Sequence, residues 1–343
     1  MKKNQVHRTP PEVAKSIQVP EYKEVLSKIW RRYDKIGRGM PLLDMELARI
    51  QMIADVIEAK TSFVSELNSL IRNLDPFYRD LLYLEFEEEE VRKALNCIYR
   101  ARKLARDFAK KYRYILMAQE KNSKIKAKAA EARGRMLSPL KRCNKSLLYL
   151  KNLVIYISKL PGIDPGAPAI IVGGAPSVGK SSLVSSASRA DIEVAEYPFT
   201  TKEIHVGHTF VDGVKIQLID TPGLLDRKLE DRNEIELKAV TALKQLAGLI
   251  VFLIDPTETA ALPLGSQIEL ALEIQSFIGS KPFIYTISKM DAVKPKKLVE
   301  AKEKIKSLTG AKEVYTVKTN DPHSVKVFIE EIARKYIIGS KTS

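Results

Sequence analysis

The sequence predicts two unlike parts in series: an all-α helical bundle, then an α/β domain on a doubly wound, mostly parallel sheet. Three observations carry this. Residues 20–160 hold few glycines and space their apolar residues at three- and four-residue steps. Pro161-Gly162-Ile163-Asp164-Pro165-Gly166-Ala167-Pro168 then breaks that rhythm, as a linker does. Beyond it, short apolar runs alternate with helical spacing. The expected organisation is a helical domain over 1–160, a linker over 161–168 and an α/β domain over 169–343.

In the helical half, Leu42 to Leu70 and Phe77 to Phe86 show helix-like apolar spacing. Arg92 to Leu116 is clearer. Leu95, Ile98, Ala105, Phe108, Tyr112 and Ile115 form one stripe, and Lys103, Arg106, Lys110 and Arg113 fall on the opposite face. A second basic run follows at Lys121, Lys124, Lys126, Lys128, Arg133, Arg135, Lys141, Arg142 and Lys145. Glu87 to Glu90 lie ahead of the basic helix, well placed if a helix begins there.

The net charge of +15 is informative once located. Residues 1–90 sum to −2, residues 91–160 to +17 and residues 161–343 to zero. Such confinement is the electrostatic footprint of a partner with a phosphate backbone. Lys103, Arg106, Lys110, Arg113, Lys121, Lys124, Lys126 and Lys128 are the candidate nucleic-acid contacts. Hydrophobic content of 45% and charged content of 29% are those of a soluble globular protein. The N-terminus lacks the apolar core of a signal peptide, and no run approaches a membrane span. With only Cys97 and Cys143, no disulfide is expected; buried free thiols in a reducing cytoplasm fit the count.

In the second half, Ala169–Val172, Ile204–Phe210, Lys215–Ile219, Leu249–Ile254 and Phe283–Ile287 read as strands. Ser181–Ser188, Asn233–Leu246, Gly265–Phe277, Lys297–Ser307 and Ser324–Tyr336 read as helices. Ligands of such sheets bind beyond the carboxyl ends of the strands, where three motifs fall. Gly174-Ala175-Pro176-Ser177-Val178-Gly179-Lys180-Ser181 matches the phosphate loop G-x-x-x-x-G-K-[ST], with Ser182 following. Its N–H groups and helix N-terminus would cradle phosphates, Lys180 would reach the β- and γ-phosphates, and Ser181 would ligate Mg²⁺. Asp220-Thr221-Pro222-Gly223 supplies a second Mg²⁺ ligand in Asp220 and a γ-phosphate-sensing N–H at Gly223. In Ser288-Lys289-Met290-Asp291, the Asp291 carboxylate would accept the N1 and 2-amino hydrogens of guanine, which adenine cannot offer, while Lys289 lies along the base. The order implies a P-loop GTPase domain. Thr316-Val317-Lys318 is the candidate for the last base-contacting loop, and in Tyr197-Pro198-Phe199-Thr200-Thr201 a threonine, Thr201 ahead of Thr200, would join Mg²⁺ only when the γ-phosphate is present. Lys180, Thr201 and Gly223 are the expected catalytic set. His205 and His208 lack a cysteine to complete a metal site and read as structural.

The Tyr-Pro-Phe-Thr-Thr loop with Asp-Thr-Pro-Gly resembles the Obg-related GTPases. More narrowly, the chain resembles the Nog family of nucleolar-type G proteins and their archaeal relatives. Phe199-Thr200-Thr201-Lys202, Val206-Gly207-His208, Leu229-Glu230-Asp231-Arg232-Asn233, Asp75-Pro76-Phe77-Tyr78 and the junction Ser158 to Pro165 carry the match. The resemblance implies a role in assembling the large ribosomal subunit, with the helical domain gripping rRNA. Three departures stand out. Ser177 replaces an Asn that in related GTPases helps hold a catalytic monovalent cation, which leaves K⁺ activation open. Ser288 replaces the usual Asn or Thr, so GTP specificity with reduced affinity is expected. Eukaryotic members continue past the GTPase domain whereas this sequence stops at Ser343, as in a shorter, archaeal-like form.

Many GTPases orient the attacking water with a glutamine after Asp-x-x-Gly, where this chain has Leu224. Slow intrinsic hydrolysis is expected, with a protein or RNA activator supplying the missing group. The alternative is an RNA-binding assembly scaffold whose guanine nucleotide is structural or hydrolysed very slowly.

Overall fold

The computed structural model describes residues 8–37, 39–188, 192–197 and 203–339. The chain divides into two compact units. The first comprises the chain up to Leu74 and then Glu85–Ser158; the second comprises Asp75–Leu84 and everything from Lys159 onward.

The first unit is all helical: α1 (Pro10–Ser16), α2 (Tyr22–Tyr33), α3 (Leu42–Thr61), α4 (Phe63–Arg72), α6 (Glu88–Met117), α7 (Asn122–Arg142) and α8 (Asn144–Lys159), with α5 (Pro76–Glu85) in the second unit. The run expected over Leu42–Leu70 is broken at Ser62, whose hydroxyl turns back to the Ala59 carbonyl at 2.9 Å. At about 1.5 Å per residue α6 spans roughly 45 Å. It packs on α3 and α7, burying Leu95, Ile98, Ala101, Ala105, Ala109, Tyr112 and Leu116. Small residues at three of these positions let the helices approach closely. Glu88, Glu89 and Glu90 occupy the first turn of α6, where they offset its dipole.

Two polar devices lock this bundle. Glu46, nearly buried, receives Arg49 at 2.9 Å and Arg133 at 3.0 Å, and the Arg49 guanidinium lies 4.1 Å over the Tyr33 ring. Removing both arginines would leave the Glu46 carboxylate buried and without a cation, at a cost of about 3–5 kcal/mol. Glu58 bonds Arg102 and, at 2.6 Å, Arg106. The Arg102 bond, above all, holds its carboxyl down at about 2. The cysteines correct the sequence expectation: Cys97 on α6 and Cys143 after α7 form a disulfide, with Cα atoms 5.9 Å apart. Nothing local brings residues 46 apart together; the packing of α6 on α7 does.

The second unit holds β1 (Ala169–Gly174), α9 (Lys180–Ala187), β2 (Glu193–Glu196), β3 (Glu203–Val211), β4 (Val214–Asp220), α10 (Glu234–Ala242), β5 (Gly248–Ile254), α11 (Leu264–Ile278), β6 (Phe283–Ile287), α12 (Pro295–Thr309), β7 (Tyr315–Thr316) and α13 (Pro322–Ala333). The sheet order is β2-β3-β4-β1-β5-β6-β7. From β4 to β7 every pairing is parallel, while β2–β3 and β3–β4 are antiparallel. The β3–β4 hairpin turns at Asp212 and Gly213, both with positive φ (49° and 79°), as a two-residue hairpin turn demands. Alternate residues of β1, β4 and β5 pack with α9 and α13. Ile171, Ile219, Ile250 and Phe252, pointing the other way, are equally buried, so the central strands are covered on both faces.

The segment 161–168 is pinned to this unit. The Tyr78 hydroxyl, on α5, bonds the carbonyls of Pro161 at 2.7 Å and Ile163 at 2.6 Å. The Gln217 side chain exchanges hydrogen bonds with the Asp164 backbone at 2.8 Å. Among the described residues, no helix is long and apolar enough to cross a membrane.

Candidate functional site

The parallel strands β1, β4, β5 and β6 deliver their C-terminal ends to one edge of the sheet, and the motifs are built there. The phosphate loop leaves β1 at Gly174, φ 139°, where a Cβ would stand 2.5 Å from the Leu253 carbonyl oxygen. It enters α9 through Gly179, φ 100°, where a Cβ would lie 2.7 Å from the Thr319 hydroxyl. Both positions therefore exclude any side chain. Ala175 and Val178 are buried anchors, Pro176 and Ser177 are exposed, and Ser182 is half-buried on α9. Ser177 is left-handed at φ 62°. Lys180 is only 7% exposed, its ammonium donating to the carbonyls of Gly174 at 2.8 Å and Ala175 at 3.0 Å. A cation is thus fixed on the loop itself.

Asp220 closes β4 and is wholly buried. Its Oδ2 accepts the Ser181 hydroxyl at 2.5 Å and faces His205 Nδ1, its cross-strand neighbour, at 3.2 Å. Among the described residues its Oδ1 has no hydrogen-bond partner. A buried carboxylate oxygen beside a hydroxyl is a hard-oxygen donor set that fits Mg²⁺. His208, by contrast, is pushed towards its neutral form by burial and by nearby Lys215.

After Asp220 the chain folds back on itself. The Thr221 hydroxyl bonds the Val172 carbonyl at 2.7 Å, and the Gly223 N–H donates to the Asp226 carboxylate at 2.8 Å. Arg232, nearly buried, donates to the carbonyls of Gly223 at 2.9 Å and Arg227 at 3.1 Å. Leu224 is completely buried. Thr200 and Thr201 lie outside the described residues; the neighbouring Tyr197 is buried and donates to the Ala239 carbonyl at 2.9 Å.

The loop Ser288–Asp291 follows β6. Ser288 is buried, and both its N–H (2.9 Å) and its hydroxyl (3.3 Å) reach the Ile254 carbonyl at the end of β5. Lys289 is left-handed at φ 50°, and Asp291 is exposed in the 3-10 turn Met290–Ala292. Of the segment Thr316-Val317-Lys318, Val317 is buried and its N–H bonds the Ile287 carbonyl at 2.9 Å, while Lys318 is exposed.

Sequence reasoning missed three contributors. Thr319, one residue past the chosen segment, packs against Gly179 and accepts the Ser186 hydroxyl on its carbonyl at 3.0 Å, so this loop abuts the phosphate loop. Asp226 occupies the Gly223 N–H. Asp255, 1% exposed at the end of β5, holds the Lys289 ammonium at 2.7 Å. Burial pushes the Asp255 carboxyl up, but its bonds to Lys289 and Thr257 outweigh this and leave it lowered. A lone acidic residue ending an apolar strand was the available signal for Asp255.

Residues 169–289 match the family model described as 50S ribosome-binding GTPase. Residues 15–164 match that described as NOG1 N-terminal helical domain. A nucleolar GTP-binding protein 1 of Drosophila melanogaster is 38% identical over 68% of this chain. The chain belongs to the nucleolar GTP-binding protein 1 family. The Arabidopsis thaliana member is 34% identical over 74% of this chain. The chain spans only 36% and 40% of the lengths of those two relatives. A solved nucleolar GTP-binding protein 1 structure from Plasmodium falciparum is 32% identical, covering 53% of this chain and 94% of that one, with a TM-score of 0.44. The family's two modules, a helical domain and a P-loop GTPase domain, thus account for the two grammars of the sequence.

Proposed function

We propose that this chain is a GTP-hydrolysing switch in the assembly of the large ribosomal subunit, gripping rRNA through its helical domain. One observation carries the catalytic half: the buried Asp220 carboxylate, with one oxygen on Ser181 and the other without a partner among the described residues, beside a loop whose lysine is already fixed. Gly174–Ser182 would bind the phosphates, Ser181, Asp220 and Thr201 would hold Mg²⁺, and Asp291 with Lys289 would read guanine. Bound there, Mg²⁺ would stabilise charge developing on the transferring phosphoryl group. Lys180 adds a second cation, and water attacks the γ-phosphorus in line.

Leu224, sealed in the core, cannot hydrogen-bond to that water. Intrinsic turnover is therefore slow, and a partner supplies the missing group; an arginine in trans gives roughly 10³–10⁵ in rate elsewhere. The Gly223 N–H, held by Asp226, must change partners for a γ-phosphate to be sensed there.

The RNA reading rests on charge. Lys103, Lys110, Arg113, Lys121, Lys124 and Lys126 are exposed and form no ion pair among the described residues. Tyr114, next to Arg113, is 75% exposed, as suits a side chain that stacks on an unpaired base. Arg106 and Lys128 are engaged with Glu58 and Glu131.

The deciding experiment is GTP turnover with and without purified large ribosomal subunits, with ATP as the control for base choice. Stimulation confined to GTP is expected. Flat, slow turnover despite tight binding to the subunit would favour the scaffold, which the burial of Leu224 also suits.

A further inference from the structure

The guanine-reading loop rests on a support that base recognition, as outlined above, leaves unused. The Ser288–Asp291 loop has few anchors of its own: Ser288 hangs from one carbonyl of β5, and Lys289 sits in a left-handed conformation that lysine rarely adopts. What stands behind it is Asp255. Its Oδ1 caps the Thr257 N–H at 2.9 Å and its Oδ2 takes the Lys289 ammonium at 2.7 Å. Its backbone is clamped on both sides by the wholly buried Gln267 of α11, which accepts the Asp255 N–H and donates to its carbonyl, each at 2.8 Å. The same amide also donates to the Leu262 carbonyl at 2.8 Å. A carboxylate held this firmly does not follow the lysine; the lysine follows it.

We propose that Asp255 is a positioning residue for guanine recognition, tethering the Lys289 ammonium so that the lysine stem is laid out as a shelf for the base and Asp291 is presented in register. The inference rests on the reading of this site as a guanine-nucleotide site. Its physical content is preorganisation. A lysine free in solvent samples many rotamers, and each must be given up when the base arrives. The Asp255 bond removes that freedom beforehand, in a loop where Ser288 replaces a longer side chain. Burial of the carboxylate matters, because an exposed pair would be screened and weak.

The test is a double-mutant cycle on the full chain, read by fluorescent GDP affinity. Asp255→Asn and Lys289→Met are each expected to weaken GDP binding about tenfold or more. The double variant should be no weaker than the weaker single, because the aspartate acts only through the lysine. Losses that multiply, or wild-type affinity in Asp255→Asn, would overturn the proposal. Should Asp255→Asn not fold, the same cycle is run with Asp255→Glu, which keeps the charge and displaces it by one methylene. It should weaken GDP in the wild-type background and have no effect beside Lys289→Met; an equal loss in both backgrounds would count against the tether. If the wild-type chain fails to bind GDP, the nucleotide-site reading itself falls, and the two failures are thereby told apart.

Discussion

At the scale of single residues, the phosphate loop shows how backbone and chemistry are bound together. Ser177 sits at φ 62°, a region that asparagine tolerates better than serine. Ser177→Asn should therefore fit the loop without strain and also add the amide that related GTPases use beside a monovalent cation. The expected outcome is GTP turnover that rises in K⁺ relative to Na⁺, with little cation response in the wild type; equal rates in both salts for the variant would refute it. The expectation of reduced affinity at Ser288 rests on its replacing the usual Asn or Thr. Its buried hydroxyl on the Ile254 carbonyl gives the loop a different anchor, which no reading of side-chain length could reveal. Thr319 and Asp255 lay outside any motif, because their roles come from which loops meet, not from spacing along the chain.

At the scale of elements, the strongly periodic segments were legible. Phe283–Ile287 is found as read, α6, α11 and α12 extend the expected helices by a few residues at their ends, and α9 lies one residue ahead of the expected Ser181–Ser188. The short edge strands β2 and β7 were missed, since four charged-flanked residues or two residues carry no period. The Asp212-Gly213 turn was a readable hairpin signal that makes β3 antiparallel to β4. The disulfide is the clearest correction. By loop-closure entropy, a cross-link over 46 residues restricts the unfolded chain by at most about 4 kcal/mol. Denaturant unfolding with and without reductant should differ by about 2–4 kcal/mol, and Cys97→Ser should be insensitive to reductant. Coincident curves for the wild type would mean that the bond contributes nothing.

For the whole molecule, the decisive property is where charge sits. The excess of +17 over residues 91–160 is a sequence fact, but not all of it faces solvent. Arg102 and Arg106 are engaged with Glu58 and Arg133 with the nearly buried Glu46, and with Glu58 held near 2 its two pairs persist at any working pH. The cations expected to meet RNA are those without such partners. Replacing Lys103, Lys110 and Arg113 together by Gln should weaken RNA binding and flatten the plot of log affinity against log salt, by about 0.7–0.9 for each phosphate no longer neutralised. Arg106→Gln alone should change the slope far less. A slope unmoved by the triple variant would return that face to an ordinary solvated surface.

The sequence by itself determined the two modules, the order of the nucleotide motifs and the location of the positive charge. These depend on local periodicity, glycine conformation and composition, which are written along the chain. The tertiary structure decided which cations are neutralised, that Cys97 meets Cys143, that Asp75–Leu84 packs with the α/β unit, and that Asp255 and Thr319 stand behind the motif loops. Each is a meeting of residues far apart in sequence, and only the packing of helices and the order of strands selects such meetings.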